Sequence, residues 1–141
     1  MGIKVLIVGK GLTGLTAAWH LSEKKEQKQV QIEIISDGSG ASPYVHGFNV
    51  PLHQNDTVEI FKNDTMQGGY GLSNPSLVDC LCEDSVSVPD MLETLQISLE
   101  KKDGEYKLLK PLGSTWPRVT GSGNHTGAEI MNRLNSLLHN R

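Results

Sequence analysis

The 141-residue chain contains no apolar run approaching the roughly 20 residues that a membrane-crossing helix needs. That lack argues against a membrane span. Cysteine is scarce: Cys80 and Cys82 are the only two, one residue apart. This spacing makes neither a disulfide framework nor a zinc-ligand pattern, and the pair reads as two reduced small hydrophobes of a cytoplasmic protein. There is no basic excess to hold a nucleic acid and no acidic tail, since 13 Lys and Arg face 16 Asp and Glu for a net charge of −3. The chain lacks internal repeats and low-complexity tracts. Its opening apolar run is too short and too glycine-punctuated for a secretory signal, and no small-residue cleavage site follows it. What remains is ordinary for a globular chain, with 37% hydrophobic and 21% charged residues in about one domain's length.

The most informative stretch is residues 3–22, IKVLIVGKGLTGLTAAWHLS. Ile3 to Val8 is a run without polar alternation, which suits a parallel strand buried on both faces. After it, Leu15, Ala18, Trp19 and Leu21 recur at helical steps. Gly9, Gly11 and Gly14 therefore sit where a strand becomes a helix. In that context Gly9 permits a tight turn, Gly11 lets a pyrophosphate approach the backbone, and Gly14 allows close helix–strand packing. The N–H groups at the start of the helix, Leu12 and Thr13 among them, face the phosphates at the positive end of the helix dipole. Lys10 directs a cation near the phosphates or into solvent.

Ser22 to Gln29 is a polar stretch that reads as a solvated helix end and loop. Val30 to Ile35 reads as the second strand of a β-α-β unit spanning 1–37. In a dinucleotide fold an acidic residue about 20 residues beyond the glycines binds the adenosine ribose. Asp37 lies at that distance, while Ser36 occupies the position directly after the strand, so either can make the contact. Residues 38–57 form a loop long enough to be functional. It holds the apolar residues Tyr44, Val45, Phe48, Val50 and Leu52 and the histidines His46 and His53, which read as hydrogen-bonded or exposed rather than catalytic.

Val58 to Lys62 and a polar link, Asn63 to Thr65, lead on along the chain. A helical insert over 73–96 follows. Ser73 or Asn74 caps its first helix ahead of Pro75, with Leu77, Val78, Leu81 and Cys82 as its apolar positions. Ser87 caps its second, with Met91, Leu92 and Leu95 as the buried stripe. Ile97 to Leu99 and Tyr106 to Leu109 read as short strands around Lys102-Asp103-Gly104. A last amphipathic helix covers about 126–139, with Ile130, Met131, Leu134 and Leu137 on one side.

With these pieces in order, the chain resembles the flavoprotein family of fumarate reductase, succinate dehydrogenase and L-aspartate oxidase. The likeness covers nearly all 141 residues. It rests on VGKGLTGLTAAWHL, GSGASPYVHGFNVPL, DTMQGGYGLSNPSLVDCLCEDSVSVPDMLETLQI and RVTGSGNHTGAEIMNRL. The resemblance implies an α/β, Rossmann-like FAD-binding fold: a β-α-β opening with a parallel sheet, added helices and a short β-hairpin, as an incomplete domain. It implies that Gly9, Gly11, Leu12, Thr13, Gly14 and Ser36 or Asp37 hold the adenosine diphosphate end of FAD. Ser39, Ser42, Gly47, Phe48 and Asn49 would lie toward the flavin.

The departures carry expectations too. His46-Gly47 stands where the family has a Gly-Gly pair. Gly40, Ala41 and Ser42 stand where covalently flavinylated members carry a histidine, so the flavin is expected to bind without a covalent link. Gly113-Ser114-Thr115 precedes Arg118 and Gly121 follows it, where the family usually has histidines. Arg118 is the candidate for an electrostatic role, with an ordinary salt bridge as its alternative. Family members run further, into a substrate-capping domain, so the chain reads as an N-terminal fragment, a truncated chain or one piece of a split flavoprotein. Expected partners are FAD and either a redox subunit or the remainder of a flavoprotein. Alternative readings are an NAD-dependent dehydrogenase and a non-catalytic accessory subunit. The dehydrogenase would need strand–helix repeats after residue 37, where a glycine-serine loop intervenes.

Overall fold

The computed structural model describes residues 2–23, 30–38 and 40–139. Two compact units divide the chain: Met1–His46 with His125–Arg141, and Gly47–Asn124.

The first unit opens with strand β1 (Ile3–Val8), helix α1 (Leu12–Glu23) and strand β2 (Val30–Ile35). β1 and β2 pair in parallel from Ile3 opposite Val30 to Val8 opposite Ile35. A parallel pair needs a crossover, and α1 supplies it. The polar link after Ser22 lies mostly outside the described residues, since 24–29 are not among them. A 3-10 turn (Ser42–Tyr44) follows. The unit closes with the last helix, α5 (Thr126–His139), which packs against α1 and against that turn. Leu15 and Ala18 of α1 and Met131 and Leu134 of α5 are buried. A buried leucine of this kind contributes about 1.5–3 kcal/mol.

β1 departs from the expected burial on both faces. Val5 and Ile7 are partly covered, but Leu6 is 58% and Val8 78% exposed. The cause is the small sheet: two strands with helices over one side leave the alternate side chains bare.

The second unit holds strand β3 (Phe48–Asn49), helices α2 (Val58–Gly68), α3 (Pro75–Ser85) and α4 (Val88–Thr94), the hairpin β4 (Lys101–Lys102) and β5 (Glu105–Tyr106), and strand β6 (Val119–Thr120). α2 corrects the expected polar link at 63–65. Thr57 caps it by accepting the Ile60 N–H at 3.1 Å, and Val58, Phe61 and Thr65 recur at helical spacing. In α3 the cap is Asn74, accepting from Ser76 and Leu77. Val78 and Cys82 are buried in α3, whereas Leu77 and Leu81 are exposed. They lie about a quarter-turn round the helix from the stripe that meets Phe61. Ser87 stands at the N-cap of α4, but its hydroxyl donates to the Asp84 carbonyl rather than accepting a helix N–H.

The hairpin is tighter than expected. Its strands hug Asp103 (φ 54°) and Gly104 (φ 87°), a turn with two left-handed residues that an Asp-Gly pair favours. Ile97 and Leu99 are buried without forming a strand, and Leu109 makes only an isolated bridge to Val119.

Candidate functional site

The glycine turn takes its shape from two positions. Gly9 has φ +108°, a left-handed conformation that side chains resist, and its N–H donates to the Ile35 carbonyl at 2.8 Å. That bond ties the end of β1 to the end of β2. At Gly14 a Cβ would stand 2.1 Å from the Gly9 carbonyl oxygen and 3.3 Å from Ile7 Cγ2. Only glycine brings α1 this close to β1. The first helical bond of α1 runs from the Leu15 N–H to the Gly11 carbonyl at 3.0 Å. The amides of Leu12, Thr13 and Gly14 precede it, at the positive end of the helix. Thr13 is exposed, and Gly11 and Leu12 are half-buried. This arrangement has the backbone donors and the missing side chains that a diphosphate requires.

Ser42 joins this turn. Its Oγ accepts the Leu12 N–H at 3.0 Å. The structure therefore brings a residue expected toward the flavin to the start of α1. Ser36 and Asp37 are both exposed beyond β2. The Ser36 hydroxyl is engaged locally, accepting the Gly38 N–H at 3.1 Å and donating to the Gly38 carbonyl. Ser39 lies outside the described residues. Lys10 borders a cleft of about 310 Å³ that Ile32 and Ile34 of β2 and Asn135 and Leu138 of α5 also line.

Gly47, Phe48 and Asn49 belong to the second unit. Phe48 pairs with Thr120 and Asn49 with Val119. A Cβ on Gly47 would stand 2.6 Å from the Thr120 carbonyl oxygen. Thr120 Oγ1 is, among the described residues, a buried side-chain oxygen without a hydrogen-bond partner. The single glycine of His46-Gly47 thus sits where backbone meets backbone.

Arg118 resolves into a salt bridge, and a buried one. Its Nε and Nη2 donate to Asp56 at 2.9 and 2.8 Å, and its Nη1 lies 2.9 Å from Asp64 Oδ2. The guanidinium stacks over the Phe61 ring, 4.7 Å from its centroid. Asp64 also accepts the Thr115 N–H and hydroxyl, each at 2.7 Å. Burial works against the Asp64 charge, yet the Thr115 hydrogen bonds and Arg118 outweigh it and hold the carboxyl below its usual range. Three of the guanidinium's donors are committed to carboxylates, so Arg118 braces the second unit. The sequence reading missed Asp56 and Asp64 as its partners, because the chain holds 16 acidic residues and nothing local singles out these two.

The two loop histidines make local contacts. His53 stacks on Trp116 with ring centroids 4.8 Å apart and accepts the Asn55 N–H at its Nδ1. His46 offers its carbonyl to the Thr126 hydroxyl at 2.6 Å. Cys82 is buried, which raises its thiol above the ordinary range. Among the described residues there is no His, Cys, Asp and Glu cluster fit for a metal and no helix long and apolar enough to cross a membrane.

Comparison with known proteins agrees with this geometry. The FAD binding domain family matches residues 4–140. The CoM/CoB fumarate reductase of Methanothermobacter marburgensis is, in its matching subunit, 28% identical over 138 residues, covering 92% of this chain and 25% of the relative. L-aspartate oxidase of Pyrococcus furiosus is 28% identical over 134 residues, covering 92% of this chain and 26% of the relative. The chain thus spans about a quarter of the length of these proteins. Among solved structures, E. coli quinol fumarate reductase FrdA superposes with a TM-score of 0.86 at 21% identity, over 99% of this chain and 24% of that one. A flavocytochrome c3 fumarate reductase gives a TM-score of 0.77 at 27% identity, over 99% and 25%. The strand–turn–helix geometry at Gly9 to Gly14 and the match across residues 4–140 lead to one assignment: the chain belongs to the FAD binding domain family, and FAD is its cofactor.

Proposed function

We propose that the chain is the FAD-holding portion of an oxidoreductase of fumarate reductase or succinate dehydrogenase type, with non-covalently bound flavin. The observation that carries this reading is the packing of Gly14 on the Gly9 carbonyl, which sets the start of α1 close against the end of β1. In this reading the Thr13 amide and the Ser42 hydroxyl, itself seated on the Leu12 N–H, hold the diphosphate. Asp37 accepts the ribose hydroxyls, because the Ser36 hydroxyl is already turned onto Gly38. Ser39, Gly47, Phe48 and Asn49 remain the residues assigned to the flavin end of the cofactor. Gly40, Ala41 and Ser42 carry no histidine for a covalent link. When bound, the flavin supplies hydride exchange with a small carboxylate-bearing substrate, and the protein orients and tunes it. Capping of the substrate belongs to a partner subunit or to the remainder of the flavoprotein. A cytoplasmic location and the absence of a nucleic-acid partner complete the proposal.

The accessory-subunit reading draws on the histidines missing around Ser42 and Arg118. One titration separates the two. FAD is added to the isolated chain while Trp19 and Trp116 fluorescence is followed. The oxidoreductase reading expects weak, saturable, micromolar binding that is lost in Gly14→Ala. No saturable change at high micromolar FAD overturns it.

A further inference from the structure

We propose that Thr126 and Gly127, at the start of α5, are positioning residues for the cofactor site, acting through Ser42. This rests on the FAD reading, but its first test does not.

The Ser42 hydroxyl accepts the Leu12 N–H at 3.0 Å. A hydroxyl also has one proton to donate. With its oxygen held at the first amide of α1, that proton can reach an anion seated on the same helix end. The contact depends on where the turn carrying Ser42 stands, and α5 sets this in three ways. The Gly127 N–H donates to the Val45 carbonyl at 2.8 Å. The hydroxyl of Thr126, itself fully buried, donates to the His46 carbonyl at 2.6 Å. Finally, a Cβ on Gly127 would stand 2.0 Å from the Ser42 carbonyl oxygen and 2.9 Å from Val45 Cβ. Contacts that short cannot exist, so any side chain at 127 drives the Ser42 backbone away. α5 is itself seated against α1 through Met131 and Leu134. One helix therefore indexes both sides of the Leu12–Ser42 contact. A shift of about 1 Å takes a 3.0 Å hydrogen bond beyond its limit.

The variants are Gly127→Ala, Thr126→Val, Thr126→Ser and Ser42→Ala. In the FAD-free protein, amide NMR is expected to show the Leu12 N–H shifted and exchanging faster in Gly127→Ala, Thr126→Val and Ser42→Ala. Thr126→Ser should restore it, and the amides of α3 should stay in place in all four. On FAD titration, Gly127→Ala and Ser42→Ala should each weaken binding about tenfold, the scale of one lost hydrogen bond. Together they should weaken it no more than either does alone. Thr126→Val carries the same readings if Gly127→Ala fails to fold. A Leu12 amide unmoved in a folded variant, or losses that multiply in the double variant, overturns the proposal. Wild-type protein that ignores FAD while its Leu12 amide responds to Gly127→Ala sinks the FAD reading and leaves the mechanical coupling standing.

Discussion

Gly9 and Gly14 solve different problems in one turn. Gly9 has open space around a missing Cβ but a φ of +108°, so its demand is conformational. Gly14 demands space. Gly14→Ala is expected to destabilise the protein by about 1–3 kcal/mol, the usual cost of overpacking, and to abolish FAD binding by lifting α1 off the turn. Thermal melts together with FAD titration check both effects. Arg118 poses the opposite problem, a buried cation that must stay paired. Asp56→Ala leaves it half-compensated and is expected to cost about 3–5 kcal/mol, read from urea unfolding. Asp64 adds a pH dependence. Its folded carboxyl titrates lower than an unfolded one, which does so near pH ~4. The stability it contributes is therefore complete above that pH and lost as pH falls through the folded value. Asp64→Asn should unfold more easily at pH ~7 but show a shallower loss as pH falls below ~4 in urea melts.

Among the elements, β1, α1, β2, α3, α4 and α5 were legible in the sequence, from apolar runs in the strands and apolar periods in the helices, with the start signal Asn74-Pro75 added in α3. α2 was not. Thr57 looks like the end of a polar loop, and the apolar positions of α2 are interrupted by Lys62, Asn63 and Asp64. The helix becomes evident only once Phe61 is seen packed against Val78 and Cys82. Thr57→Ala, which deletes the cap bond to Ile60, is expected to cost about 1 kcal/mol in urea unfolding, with Thr57→Ser close to wild type. The glycine turn was equally legible, since positive φ and close packing are requirements that only glycine meets. The link from Ser42 to Thr126 and Gly127 was not, because 84 positions separate Ser42 from Thr126 and no local pattern records a partner so far away.

At the scale of the molecule, the bare side of the β1–β2 pair is the feature least suited to water. Leu6, Val8 and Ile35 are exposed large apolar side chains on that side. Such a surface favours association. Leu6→Gln is expected to leave the melting temperature of the 141-residue chain nearly unchanged while raising the concentration at which light scattering first reports aggregates. If the substitution instead destabilises the chain markedly, Leu6 is packed in solution.

The order of the two units along the chain has a different consequence. The first unit is written in two instalments, and the second is spelled out between them. The chain departs at His46 and comes back at Thr126, whose hydroxyl touches the His46 carbonyl. Residues 47–124 are in that sense a parenthesis, and its opening and closing marks are printed side by side. Its length is free to vary without stretching the sentence that encloses it, whereas α1 waits for its partner α5 until residues 47–124 have been spelled out.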